Sequence, residues 1–137
     1  MTTTSKKTTK KINKKETPAV DANIEVRATA KYVRGSAKKM RPIAKLIRGK
    51  QANEAIGILK NLPNKTAFTI LKVLESAVAN ALNNNKLDKD KLVVSTLYIN
   101  DGVFFKRHQP RARGRMFPII KRTSHITLGV KELRGDS

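Results

Sequence analysis

Cysteine is absent from the sequence, which excludes disulfides and thiolate metal sites and fits a reducing compartment. Acidic residues are scarce. Ten Asp and Glu stand against thirty Lys and Arg, a formal net charge of +20, with a pI of about 10.7. A chain so unbalanced repels itself and attracts a polyanion. No apolar run approaches the ~20 residues needed to span a bilayer. The opening Met1-Thr2-Thr3-Thr4-Ser5-Lys6-Lys7 lacks the apolar segment of a secretory signal. An organellar transit peptide fits poorly, because such peptides favour Arg and no Arg precedes Arg27. Histidine occurs twice, at His108 and His125, with no Ser/Asp or metal-ligand pattern beside either. Asp88 and Asp90 read as a charged loop rather than a metal pair, and no Gly-rich phosphate loop is present. Catalysis therefore has no candidate residues, and neither cofactor nor metal is expected.

What is present is positive charge in blocks. Residues 1–15 carry six Lys and no acid, and residues 31–50 carry eight Lys/Arg and no acid. Residues 51–105 hold six Lys and five acids, which is close to neutral. The densest block follows. Residues 104–122, FFKRHQPRARGRMFPIIKR, contain seven Lys/Arg, one His, no acid and three of the four Phe. A near-neutral centre between basic blocks describes a packed body with polyanion-facing elements, not a uniformly basic coil.

Residues 1–22 offer almost nothing to bury and are expected to be a disordered basic tail. The remainder, 23–137, is expected to be a single domain, since 137 residues suffice for one modest core. Alternation of Ile24, Val26, Ala28, Ala30 and Tyr32 with polar residues predicts a half-buried strand over 24–33. Gly35 breaks it, and Ser36 is positioned to cap a helix running to about Arg48. Met40, Ile43, Leu46 and Ile47 would form its buried face. Pro42 inside that helix removes a hydrogen bond, so either the helix starts late or it kinks. Gly49 suits the position just past its end. A second helix is predicted over 51–62, ended by Pro63. A third, capped by Asn64, spans 65–83 and is apolar around most of its circumference, Phe68 included, which marks the central core helix. Asn83-Asn84-Asn85 is the stop signal.

Strands are predicted over 92–99 and 125–132, with Asn100-Asp101-Gly102 as a turn or bulge. The stretch between them cannot be regular around Gln109-Pro110-Arg111-Ala112-Arg113-Gly114-Arg115. It reads as a long hairpin, about 92–130, with a cationic tip. The fold class is α+β: three helices packed on a small antiparallel sheet, with a long protruding β-hairpin. About eighteen residues per arm at ~3.3 Å each give ~60 Å, whereas a domain of about a hundred residues has a radius of gyration near 13 Å. Such arms would project, and a lone two-stranded ribbon is marginal in water. The hairpin should thus be ordered by a partner that offers negative charge and a narrow site.

RNA suits that description. Arg111, Arg113 and Arg115 alternate around the tip, where planar guanidinium forks grip phosphate or stack on bases. Phe104, Phe105 and Phe117 can stack on unpaired bases or pack across the ribbon. No recognition helix or zinc finger favours DNA.

Several segments together resemble one known family. They are YVRGSAKKMRPIAKLIRGK (32–50), VLESAVANALNN (73–84), NDG (100–102), KRHQPRARGRM (106–116) and KRTSHITL (121–128). They are similar to the uL22-type (L-twenty-two) ribosomal proteins of the large subunit, in the bacterial form, over about residues 25–132. The resemblance implies a structural constituent of the large ribosomal subunit, a cytoplasmic ribosomal protein with no membrane association. It implies a hairpin inserted into large-subunit rRNA that lines the nascent-peptide exit tunnel, and a role in early subunit assembly. Its partners would be large-subunit rRNA, other large-subunit ribosomal proteins and the nascent peptide. By position, rRNA binding falls to Arg34, Lys38, Lys39, Arg41, Arg48, Lys106, Arg107, Arg111, Arg113, Arg115, Lys121, Arg122 and His125. The tunnel hairpin comprises Phe105, Lys106, Arg107, Pro110, Arg111, Ala112, Arg113, Gly114 and Arg115. The alternative from a different class is a small nuclease, which lacks its carboxylate or His cluster. Another is a basic RNA- or DNA-binding architectural protein that uses the ribbon as a groove arm.

Overall fold

The structure, a computed structural model, describes residues 24–133. The basic tail expected over 1–22 lies outside the described residues. Among them the chain forms five strands and three helices: β1 (Val26–Arg34), α1 (Ala37–Ile47), α2 (Ala52–Asn61), α3 (Lys65–Asn85), β2 (Leu92–Asp101), β3 (Phe105–Pro110), β4 (Met116–Lys121) and β5 (Thr123–Glu132). The last strand is the central one. It pairs antiparallel with both neighbours in a three-stranded sheet of order β1-β5-β2, and β3 pairs with β4 in a separate ribbon. The α+β architecture read from the sequence is the one observed.

The inward face of β5 is Ile126, Leu128 and Val130, all fully buried. Opposite them stand Val26, Ala28 and Ala30 of β1 and Val94, Leu97 and Ile99 of β2. Those β2 positions are not evenly spaced by two. A register shift between Val94 and Thr96 inserts Ser95 as an extra residue, which restores the apolar phase after the polar Ser95-Thr96 pair. A second shift lies between Ala30 and Val33. There Tyr32 takes a left-handed backbone (φ 56) and points outward, 64% exposed, instead of inward as the plain alternation predicted. Val33 packs partly against the core in its place.

The helices cover one sheet face. Met40, Ile43, Ala44 and Ile47 of α1, Ala55 and Leu59 of α2, and Ile70, Leu71, Val73, Leu74, Ala77 and Val78 of α3 join the strand residues in one cluster. Each large side chain fully buried there is worth about 1.5–3 kcal/mol relative to exposure. Two expected core residues lie outside it. Leu46 is exposed, with Ala44 taking the inward position, and Phe68 is exposed, with the Lys72 ammonium 4.8 Å from its ring centroid. Helix α1 runs through Pro42 without interruption. Ser36 and Asn64 stand at the N-cap positions with extended backbones, but neither side chain makes a capping bond. At the end of α3 the left-handed residue is Lys86 rather than an Asn, and the Leu87 N–H reaches the Ala81 carbonyl at 3.2 Å. Gly49, with φ 78, turns the chain so that its N–H meets the Val94 carbonyl, while the Val94 N–H meets the Lys50 carbonyl. The α1–α2 junction thereby closes part of the open edge of β2.

A carboxylate fastens the sheet at the same level, across its central strand. Glu25 accepts from the Ser95 hydroxyl (2.6 Å), the Thr96 hydroxyl (2.5 Å) and the Arg27 guanidinium (2.6 Å). These bonds, that from Ser95 foremost, hold its pKa down from 4.5 to about 2. The carboxylate crosses β5 at Gly129, where any Cβ would collide with Glu25 Oε1. The residue before β1 is thus tied across the central strand to the bulge in β2.

The hairpin is continuous in sequence but divided in structure. Its root, β2 and β5, lies in the body. The ladder breaks at residues 102–104 and at Arg122, then resumes at Phe105 opposite Lys121. Residues 103–122, all exposed, leave the core. About ten residues per arm at ~3.3 Å make ~33 Å, about half of the reach obtained when both whole arms are taken as projecting. Gly102 allows the break. Its N–H donates to the Thr123 carbonyl at 2.9 Å, and a Cβ there would lie 2.6 Å from Thr123 Oγ1 and 3.1 Å from His125 Nε2.

Two predictions arise here. Since the folded-state pKa of Glu25 lies below its unfolded value, its contribution is complete above about pH 4.5 and is lost as pH falls towards 2. Urea unfolding of the wild type should weaken across that window. Glu25→Gln should be less stable at pH 7 and show a flatter acid limb; parallel curves would disprove the assignment. Second, Gly102→Ala should cost roughly 1–3 kcal/mol by overpacking. Gly57→Ala, with nothing within 4 Å in the middle of α2, should instead gain about 0.5–1 kcal/mol. Chemical denaturation of both variants checks the contrast.

Candidate nucleic-acid interface

All twelve residues of β3 and β4 are exposed. Directly paired residues share a face of a ribbon, which sorts the side chains. One face bears Phe105, Arg107 and Gln109 with Lys121, Ile119 and Phe117. The opposite face bears Lys106, His108 and Pro110 with Ile120, Pro118 and Met116. Each face is therefore both apolar and cationic. Seven of the twelve large apolar side chains exposed among the described residues lie between Val103 and Ile120. So much exposed apolar surface in one short segment marks a surface that a partner covers. The absence of acid in the ribbon and the mixed faces are what an RNA groove or cavity would satisfy, with apolar rings against bases and cations against phosphates.

The rings do not pair with one another. Phe105 and Phe117 share a face but stand opposite Lys121 and Gln109. Each meets a guanidinium instead: Arg34 lies 6.0 Å from the Phe105 centroid and Arg111 lies 5.5 Å from that of Phe117. At the tip, a short 3-10 turn (Ala112–Gly114) holds Arg113 (φ 58) and Gly114 (φ 68) both left-handed, and the Arg111 N–H donates to the Arg115 carbonyl at 2.8 Å. The left-handed pair reverses the chain within five residues and fans Arg111, Arg113 and Arg115 around the end. Pro110 and Pro118 remove N–H donors from the ribbon, which blunts strand-to-strand association of a doubly exposed edge.

The body carries two further basic regions. Arg34, Gly35, Ser36, Lys39, Ile120, Lys121 and Arg122 line an open cleft where α1 begins beside the ribbon root. Arg41, Lys45 and Arg48 line a groove between α1 and β2 with Tyr98 and Asn100. Arg41 and Arg48 there are already engaged. Arg41 pairs with Asp101 at 2.9 Å, and Arg48 donates to the Leu97 carbonyl and lies 6.0 Å from the Tyr98 ring. The exposed Arg41–Asp101 pair is worth about 0–1 kcal/mol, and Arg48 has no carboxylate partner among the described residues, so both side chains keep charge to present outward. Lys38 is exposed on α1, and Lys106 and Arg107 are exposed on the ribbon.

His125 differs from the rest of the sequence-predicted set. It is half-buried, its Nδ1 accepts the Tyr32 N–H at 3.0 Å, and its ring meets Tyr32 edge-on at 4.8 Å between centroids. Its neighbours in Lys121-Arg122-Thr123-Ser124-His125 also have internal partners. The buried Thr123 hydroxyl donates to the Val103 carbonyl, and buried Ser124 lies 3.3 Å from Met40 Sδ. This motif fastens the ribbon root as well as presenting two cations. Lys45 and Tyr98 join the α1–β2 groove without having been singled out from the sequence, because adjacency across helix and strand leaves no local trace. Among the described residues no group of three or more His, Cys, Asp or Glu is placed to hold a metal ion, and no helix is long and apolar enough to cross a membrane.

The profile of the family described as ribosomal protein L22p/L17e matches residues 28–131. Among curated relatives, the large ribosomal subunit protein uL22 of Clostridium novyi is 54% identical over 109 residues, covering 80% of this chain and 98% of that protein. The protein of the same name from Clostridium beijerinckii is 53% identical with the same coverage. That from Mycoplasma mobile is 49% identical, covering 99% of its own length. Proteins of this family are structural and not enzymatic. With the match reaching into every strand and helix described above, the chain belongs to the ribosomal protein L22p/L17e family.

Proposed function

We propose that the protein is a structural constituent of the large ribosomal subunit in the cytoplasm, bound to large-subunit rRNA and neighbouring large-subunit proteins. The ribbon enters the folded RNA, with Phe105, Lys106 and Arg107 along its shaft and Pro110, Arg111, Ala112, Arg113, Gly114 and Arg115 beside the nascent-peptide exit tunnel. The body binds rRNA through Arg34, Lys38, Lys39, Arg41, Arg48, Lys121, Arg122 and the remaining edge of His125. Binding early in assembly follows from the same design, because the ribbon is most easily enclosed while the RNA is still folding around it. The observation that carries this reading is the ribbon: twelve exposed residues with apolar and cationic side chains on both faces. Free in water, such a ribbon is marginal. Enclosed by RNA, its rings and cations both find partners.

The reading is tested by sedimentation of tagged protein from lysate, with recovery in the large-subunit peak expected and absence from it fatal. Affinity for a large-subunit rRNA fragment should fall steeply with salt. Replacing Arg111, Arg113 and Arg115 together by Gln should reduce the slope of log K against log salt by about 2, at ~0.7 per phosphate contact to unpaired RNA. Deleting residues 109–115 should leave thermal unfolding of the body unchanged, since no core residue lies in the ribbon. The same deletion should alter passage of stalling peptides through the tunnel; a body that unfolds on this deletion would refute the division between root and ribbon. Binding to duplex DNA as tight as to the rRNA fragment at matched salt would favour an architectural DNA-binding protein instead.

A further inference from the structure

The cleft between α1 and the ribbon root gathers four cations from two parts that the ladder barely joins. Arg34 and Lys39 belong to the body, Lys121 ends the ribbon, and Arg122 sits at the break. All four are exposed, and none forms an ion pair among the described residues. Outside the strand ladders, the Gly35 N–H donates to the Arg122 carbonyl at 3.3 Å, the Gly102 N–H to the Thr123 carbonyl, and the Thr123 hydroxyl to the Val103 carbonyl. The break in the ladder between body and ribbon is thus flanked by like charges on both sides. Without an anion their repulsion acts against closure of the cleft. An anion seated between them removes that repulsion and accepts charge-assisted hydrogen bonds from both parts at once.

We propose that this cleft is a seat for a backbone phosphodiester of single-stranded RNA, and that its occupation locks the ribbon against the body. The Arg34 guanidinium lies 6.0 Å from the Phe105 ring, so the seat is bordered by a ring that the adjoining base can reach. Body and ribbon are then not independent RNA contacts. Binding at the root sets the direction in which the tip is presented. This rests on the RNA-binding reading above and adds to it a particular site and a coupling.

The test uses the full-length free protein at low salt, followed by amide NMR and hydrogen exchange. Two probes are titrated separately: inorganic phosphate and a short oligouridylate. Both should shift the amides of Arg34, Gly35, Lys39, Lys121 and Arg122. Only the oligouridylate, which can extend to the ring, should also shift Phe105. Saturation with oligouridylate should raise protection of ribbon amides between residues 106 and 120 by about tenfold, a shift of roughly 1.4 kcal/mol in the opening equilibrium. The double variant Lys39→Gln/Lys121→Gln should keep the wild-type unfolding temperature and lose most of that gain. Lys60→Gln/Lys65→Gln, of equal charge and outside the cleft, should retain it. The proposal is overturned if the cleft variant gains the same protection, if both variants lose it equally, or if oligouridylate leaves the cleft amides unmoved. Co-sedimentation with the large subunit would survive any of these results, so failure of the seat and failure of the ribosomal reading are distinguishable.

Discussion

Pairing of β5 with a strand on each side is the constraint on which the other features depend. Thr123–Glu132 supplies the inward row of Ile126, Leu128 and Val130, and its two neighbours must match that row. Neither does so with strict alternation. Each contains one irregularity, at Ser95 in β2 and around Tyr32 in β1, that shifts its apolar residues back into phase. A period of two allows no other remedy, since a one-residue slip would turn a whole strand inside out. Glu25 then uses the bulge it faces, binding both Ser95 and Thr96 across the space left by Gly129. The bulge is thereby a binding point as well as a correction of phase.

The same central strand explains why the ribbon stands where it does. β5 continues backwards through Arg122 into β4, and β2 continues forwards through Gly102 into β3. Thr123, Ser124 and His125 hold the crossing point by bonds to Val103, Met40 and Tyr32. The core ends at that point. Beyond it the strands pair only with each other, and the side chains change from a buried aliphatic row to exposed rings and cations. The division of labour lies within single strands: one end makes the fold and the other meets the partner.

Charge follows the same geography. Near-neutral α2 and α3 form most of the packed body, while the acid-free segments 31–50 and 104–122 converge on α1, the cleft and the ribbon. Concentrating like charge on projecting elements keeps its repulsion out of the core and leaves it available to a polyanion. The cleft at the ladder break is where the two basic segments, remote in sequence, come together.

How far the sequence could be read depended on whether a signal was local. Helix extents, the strand alternation, Gly49 as a chain-turning residue and the cationic tip are local, set by side-chain periodicity and backbone sterics, and they are visible without a fold. The class of partner follows from charge alone. The resemblance carried by Pro110–Arg115 and Lys121–His125 named the family before any geometry was known. Outward-facing Tyr32, Leu46 and Phe68 were not legible, because burial of an apolar residue depends on what stands opposite. The clip formed by Glu25, the internal partners of Thr123 and Ser124, and the four-cation cleft join residues as much as 88 positions apart, as with Arg34 and Arg122. The reach of the hairpin was misjudged from sequence for the same reason. Strand length is a local property, but how much of a strand the body buries is decided only when β1 and the helices pack against it.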